Sequence, residues 1–383
     1  MTLLAYDAEQ LFAWLVDREE LLLLDVRNEV EFGRFKVEGP YPFQMINIPY
    51  MEFIEHEAQS VARVPPADKI RIVCAKEGSA KYVGEILEGL GHGDVGYLTR
   101  GIKSWGNLLV PVELDTSGGY RLFQFRRPGK ASCSYGLAWQ SELMIFDPAK
   151  NIDAYQTFAQ HNGWQIIKTI ETHRQADYIS GSLGLHQSAG AEIVAPSADF
   201  MEAAFAYSAA KDGEDLTFSK GGGPQVKVIH TPGHTPGSTS YLIDNRYLIS
   251  GDTVFIYSLG RPDLGGQAEA WAKMLFATLK EKILPLPNET RILPGHYMDW
   301  AEADENLAFV APLGKIIEIN KAVYDIDNEA AFVDYINANM RPQPEAYATI
   351  REINAGLRTA DEEEQDILDL GKNECAASAM APA

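Results

Sequence analysis

The chain has 383 residues, 46% of them hydrophobic and 23% charged, a length that one hydrophobic core rarely serves and that predicts two globular domains. Its formal charge of -21 excludes the basic face of a nucleic-acid binder and disfavours an anionic membrane surface. Three cysteines make no disulfide framework, no apolar run approaches the roughly 18 residues of a membrane span, and MTLLAYDAEQ lacks the basic start of a secretory signal, so a reducing, cytoplasmic setting is expected.

In chain order, Asp7 is placed to cap a helix whose apolar residues Ala8, Leu11, Phe12, Leu15 and Val16 follow helical spacing. Leu21–Val26 reads as a buried strand, Met45–Ile48 as a short one ended by Pro49, and Ile70–Val73 as a third that runs into Cys74. A helix follows with Tyr82, Val83, Ile86, Leu87 and Leu90 on one face, then a strand at Val95–Leu98 and a short helix at Gly101–Leu109. Strands alternating with helices predict a parallel-sheet α/β domain over residues 1–109.

The loop Cys74, Ala75, Lys76, Glu77, Gly78, Ser79 is where this domain can do chemistry. It leaves a strand and opens a helix, so its amides and the helix N-terminus favour an anion; with Lys76 they predict a lowered thiol pKa. Asp25-Val26-Arg27 with Glu31-Phe32, Asn47-Ile48-Pro49, the Cys74 loop and Arg100-Gly101-Ile102 with Trp105-Gly106 resemble a rhodanese domain. The resemblance implies that Cys74 carries a persulfide sulfur cradled by the loop amides and that Arg27 is structural. The arginine that usually closes the loop is absent, since Ala80 stands there.

Residues 110–120, VPVELDTSGGY, read as a linker, and 121–360 as a second domain. Its predicted strands are Arg121–Phe125, Ser132–Ala138, Glu142–Phe146, Trp164–Ile170, Gln225–Ile229, Ser240–Ile243, Tyr247–Ile249 and Thr290–Leu293; helices are predicted at Ile152–Gln160, Ser182–Ser188 and Glu269–Lys282 and over most of 302–357. Two runs of strands with helices outside predict an α/β/β/α sandwich. Residues 361–383 read as a mobile acidic tail that contains Cys375, and Cys133 as a buried structural cysteine; neither is assigned a sulfur relay.

Of the eight histidines, His56, His92, His161 and His186 lie without partners, and His230 reads as structural. His173, His234 and His296 each end a strand-like run beside Gly or Asp, and with Asp252 and Asp177 they predict a divalent-metal site. These fragments (THRQADYISG, TPGHTPGS, SGDTVF and LPGHY) resemble the metallo-β-lactamase superfamily, with two departures: Gln175 and Tyr178 occupy positions where that family places histidines. The loss puts two-zinc hydrolysis in doubt and leaves His173, His234 and Asp252. The persulfide dioxygenase branch uses these three positions for one Fe(II), and Gly260-Arg261-Pro262-Asp263 is similar to its substrate-side segment.

The resemblance implies oxidation of a thiol persulfide by O2, with thiosulfate or sulfite as partners of the rhodanese domain. Gln175, Asp177, Tyr178, His296, Arg261 and Asp263 are then expected beyond the iron ligands or lining the pocket. The segment Gly129–Leu137 around Cys133 resembles one that borders the metal pocket in fused relatives. The alternatives are a zinc thioester hydrolase of the glyoxalase II type and a sulfurtransferase with a degenerate metal domain; a homo-oligomer is left open.

Overall fold

Unbroken apolar runs become strands buried on both faces. The computed structural model describes residues 3–263, 266–340 and 342–377, in two units: residues 3–110 with 127–130 and 370–372, and the remainder. In the first unit β1 (Leu4–Tyr6), β2 (Leu22–Asp25), β3 (Gln44–Asn47), β4 (Lys69–Val73) and β5 (Asp94–Leu98) form a parallel sheet in the order β1-β5-β4-β2-β3. β2 is wholly buried, which is why it reads as a Leu run with no polar alternation. Asp7 caps the helix Ala8–Val16 in a capping box with Gln10, and Ala8, Leu11, Phe12 and Leu15 turn inward.

At the end of β2 a buried ion pair fixes the neighbourhood of Cys74. Arg27 Nε donates to Asp25 Oδ1 at 3.0 Å, and Arg27 Nη2 donates to Asp25 Oδ2 at 2.5 Å and to Phe35 O at 2.6 Å. Asn47 Nδ2 donates to the carbonyls of Asp25 and Arg27, both at 2.8 Å, tying β3 to the same turn. Arg27 is structural, as the sequence implies.

In the second unit β6 (Val110–Asp115), β7 (Arg121–Arg127), β8 (Ser132–Trp139), β9 (Glu142–Phe146), β10 (Gln165–Ile170), β11 (Glu192–Ala195) and β12 (Ser208–Ala209) make one sheet, in reverse chain order. A second sheet runs in chain order through β13 (Asp215–Leu216), β14 (Val226–His230), β15 (Thr239–Ile243), β16 (Tyr247–Gly251), β17 (Arg291–Pro294) and β18 (Ala311–Pro312). The sheets face one another: the rings of Phe146 and Tyr241 are 5.4 Å apart, and the Tyr135 hydroxyl donates to Pro294 O at 2.7 Å. Outside the first sheet, Tyr155 of the helix Ile152–Asn162 meets Phe125 at 5.0 Å. Outside the second, Thr278 of the helix Ala268–Thr278 donates to Pro232 O at 2.7 Å. The α/β/β/α reading holds.

Two sequence readings are corrected. Residues 110–115 are an edge strand, not the start of a linker: Val110, Val112 and Leu114 alternate with Pro111 and Glu113, and an edge tolerates a proline. The tail is ordered through residue 377. Asp361 caps the helix Glu362–Leu368, whose acidic first turn suits a helix N-terminus, and Lys150 pairs with Asp366. The last six residues of that predicted tail lie outside the described residues. No helix among the described residues is long and apolar enough to cross a membrane.

Removing one partner of a buried ion pair strands the other charge and costs about 3–5 kcal/mol. Arg27→Ala is expected to destabilise the first unit by that amount. Hydrogen exchange checks it: protection of β2 and β4 amides should fall while the second unit keeps its own, and unchanged protection would show the pair to be dispensable.

Candidate metal centre

Four strand ends of the second unit converge. His173 follows β10, His234 follows β14, Asp252 follows β16 and His296 follows β17, each in the loop beyond the strand. Donor atoms of His173, His234 and Asp252 all lie within 4.8 Å of one another. Asp252 Oδ2 is 3.8 Å from His173 Nε2, 3.5 Å from His234 Nε2 and 3.5 Å from His296 Nε2, which stands 3.4 Å from Asp177 Oδ2. None of these residues is more than 2% exposed.

The outer nitrogen of each ring decides which way the inner lone pair faces. Thr172 Oγ1 donates to Asp147 Oδ2 at 2.8 Å, so its lone pair accepts from His173 Nδ1 at 2.9 Å. His234 Nδ1 donates to Arg261 O at 2.8 Å, and His296 Nδ1 to Ala131 O at 3.3 Å. All three rings thus present Nε2 to the centre. Asp147 also takes the Thr172 amide at 2.7 Å. Gly251 has φ +50, and a Cβ there would lie 2.4 Å from Thr172 Oγ1, so only glycine lets β16 pass this support.

A divalent cation fits the donors present. The Nε2 atoms of His173, His234 and His296 and both oxygens of Asp252 are buried with no hydrogen-bond partner. Such burial is costly unless a ligand satisfies the atoms. Burial holds His173 and His234 below the usual imidazole range, so both are neutral donors, and it pushes Asp252 up. Burial opposes charge on His296 too, but Asp177 and Asp252 outweigh it and raise that ring to about 9. A bound cation would take over the role of those protons.

The two departures sit around this set. The Gln175 amide nitrogen is 3.5 Å from His173 Nδ1, on the outer side of that ring. Tyr178 turns its hydroxyl to Asp147 O at 3.3 Å. Asn354, which nothing in the sequence singles out, clamps the loop by donating to the carbonyls of Gln175 and Tyr178, both at 2.9 Å. Asp199, equally silent in sequence, accepts from the Arg174 amide, the Thr235 hydroxyl and the Gly237 amide, tying the His173 and His234 loops together. Arg261, expected on the substrate side, spends its guanidinium on Asp263 (2.7 and 2.8 Å) and on Glu374 O (3.2 Å).

The largest correction is Cys375. Far from lying in a mobile tail, it is fully buried, and with Asp177 and His296 it forms a second group of donors within 4.8 Å of one another. Its thiol stands 3.9 Å from Tyr347 Oη, and burial among Asp177 and Asp252 pushes its pKa up. Cys133 is buried on β8, its amide bonded to Gly295 O at 2.8 Å and its thiol pushed up by burial, which suits a structural role.

In the first unit Cys74 directly follows β4, and the helix Glu77–Gly89 takes up Glu77, Gly78 and Ser79 in its first turn. The lowered thiol pKa expected from the loop is reversed: Cys74 is 4% exposed, and burial raises it against hydrogen bonds from the Lys76 and Ala75 amides and from Ser79. Gly101, at φ +66, lets the chain pass; a Cβ there would lie 2.4 Å from Ala75 O.

Comparison with known proteins identifies a family for each of two stretches of the chain. Residues 7–108 match the rhodanese-like domain and residues 142–296 the metallo-beta-lactamase superfamily. A hydroxyacylglutathione hydrolase of Brucella anthropi is 31% identical over 170 residues; the match spans 44% of this chain and 61% of that enzyme's length. The crystal structure of a metallo-beta-lactamase from Staphylococcus aureus is 28% identical with a TM-score of 0.54, covering 62% of this chain and 72% of that one. ETHE1 from Myxococcus xanthus is 22% identical with a TM-score of 0.54, covering 62% of this chain and 98% of its own, and shares the fold. The chain joins a rhodanese-like domain to a domain of the metallo-beta-lactamase superfamily.

Proposed function

We propose that the second unit oxidises a low-molecular-weight thiol persulfide, glutathione persulfide or a similar molecule, with O2, and that Cys74 moves sulfane sulfur between thiosulfate or sulfite and a thiol. The observation that carries this reading is the convergence of His173, His234 and Asp252, with Gln175 and Tyr178 where two further imidazoles would serve a two-zinc hydrolase. Two imidazoles and one carboxylate are the ligand set of non-haem iron oxygenases, and iron(II) held there supplies open positions and redox capacity for O2.

The reaction balances as R–S–SH with O2 and water giving R–SH, sulfite and two protons: the outer sulfur loses four electrons and O2 gains them. The protein's part is positional. Thr172, backed by Asp147, and the carbonyls of Arg261 and Ala131 aim the three rings, while burial of the centre keeps bulk water from it. The likeness to hydroxyacylglutathione hydrolases favours a second reading, zinc-dependent thioester hydrolysis. That reading asks an amide and a neutral phenol to replace imidazoles, and both are poor zinc ligands.

Protein prepared anaerobically without added metal is expected to hold about one iron per chain, lost in His173→Ala, His234→Ala and Asp252→Ala. Elemental analysis reads it; two zinc ions per chain with thioester hydrolysis would establish the second reading instead.

Cys74→Ser is expected to abolish sulfane-sulfur transfer from thiosulfate, because a serine oxygen cannot carry a persulfide sulfur, and to leave O2 consumption on glutathione persulfide intact. Loss of O2 uptake at unchanged iron content would refute the independence of the two chemistries.

Gln175→His combined with Tyr178→His restores the superfamily's imidazoles. Zinc binds such sites more tightly than Fe(II), so the double variant should take up more zinc and lose about 10–100-fold in O2 uptake. Metal content and turnover unchanged from wild type would show that neither position governs metal choice.

A further inference from the structure

Cys375 reaches the metal centre on a short strap, residues 373–377, that is built into the site. Arg261 N donates to Cys375 O and Ala377 N to Leu259 O, both at 2.8 Å, and Gly260 and Ala376 form an isolated bridge. Side chains hold the near end: Arg261 Nη1 donates to Glu374 O, the Glu374 amide to Tyr347 Oη at 2.9 Å, and Asn373 Nδ2 to Ala131 O at 3.0 Å. Cys375 packs with Ala176, Phe255, Trp271 and Tyr347. Its sulfur lies within 4.8 Å of a His296 ring nitrogen, and His296 Nε2 is buried without a hydrogen-bond partner.

Two consequences follow. With the strap in place His173, His234, Asp252 and His296 are closed from solvent, and the strap covers the side of the centre that Cys375 faces. The sulfur atom that the reaction must hold beside His173, His234 and Asp252 also has a counterpart supplied by the chain itself.

We propose that Cys375 is an in-chain carrier that accepts sulfane sulfur and presents it, as a protein persulfide, for oxidation at the centre; this rests on the dioxygenase reading above. In loading, the strap opens and the Cys375 thiolate attacks the outer sulfur of R–S–SH. The S–S bond of R–S–SH breaks, R–S⁻ leaves and takes a proton, and a new S–S bond forms at Cys375 with no net oxidation. After closure, Cys375–S–SH with O2 and water gives Cys375–SH, sulfite and two protons. The outer sulfur loses four electrons, O2 gains them, and water supplies the third sulfite oxygen. Loading requires the bonds of residues 373–377 to Ala131, Tyr347, Leu259 and Arg261 to open locally and Cys375 to leave its packing against Phe255 and Trp271.

The test uses the iron-loaded full chain, wild type and Cys375→Ser. Each is treated anaerobically with glutathione persulfide, desalted, peptide-mapped by mass spectrometry, then exposed to O2. Wild type is expected to gain the mass of one sulfur atom on the Cys375 peptide and to lose it in O2, with one sulfite released per loaded chain. Cys375→Ser should do neither while holding the same iron. A wild-type chain that gains no sulfur at Cys375 overturns the inference, however well it oxidises free persulfide, and this readout does not depend on how the variant folds. Iron loss in Cys375→Ser with wild-type thermal stability would make the thiol a ligand, and overturns it too. A loaded chain that keeps its sulfur in O2 while oxidising free glutathione persulfide refutes the carrier alone; one that does neither, at full iron, refutes the dioxygenase reading with it.

Discussion

Polar atoms held out of water, facing one another and lacking a hydrogen-bond partner, are the constraint on which the second unit depends. The Nε2 atoms of His173, His234 and His296 point at Asp252 because their Nδ1 atoms are committed elsewhere, to Thr172, Arg261 O and Ala131 O. Each commitment recruits further structure. Asp147, itself raised by burial and at φ +51, accepts from both the amide and the hydroxyl of Thr172. Asp199 and Asn354 then hold the loops that bear the rings. Without a cation this assembly keeps its desolvation cost. With one, the cost becomes binding free energy, so metal occupancy and stability of this unit are linked.

The two cysteines proposed to handle sulfur meet the same difficulty differently. Cys74 lies where loop amides and Ser79 favour an anion, yet burial outweighs them and keeps the resting thiol neutral. An outer sulfur attached there would extend the charge along the loop, where those donors act on it with less desolvation. Cys375 has no comparable cradle. It faces Asp177 and Asp252, which oppose a thiolate, so its chemistry depends on a cation beside it or on the strap being open.

What the sequence made legible follows from how locally each feature is encoded. β9 falls at the predicted bounds Glu142–Phe146 because an apolar run between turn residues suffices to define it. The convergence of His173, His234, Asp252 and His296 was legible because each follows such a run in a turn beside Gly or Asp. β6 was not, since a proline near a Ser-Gly stretch reads as a boundary unless the neighbouring strand is known. Burial of the Cys74 thiol depends on packing that no local motif reports. Cys375 carries no local signal at all: its placement comes from Arg261, more than a hundred residues earlier.

The strap and the metal ligands share anchors, which couples access to aim. Arg261 gives its amide to Cys375 O and its guanidinium to Glu374 O, while its carbonyl takes His234 Nδ1. Ala131 O accepts from Asn373 and also from His296 Nδ1. Lifting residues 373–377 therefore removes the strap's bonds from the two residues that orient two of the three rings, leaving Arg261 on Asp263 and Ala131 O on the Tyr297 amide. Outer hydrogen bonds of this kind set ring direction and ligand basicity, so an open strap leaves His234 and His296 less firmly directed than a closed one. If the strap opens to load Cys375 as proposed, entry to the centre and full ordering of its donors oppose one another.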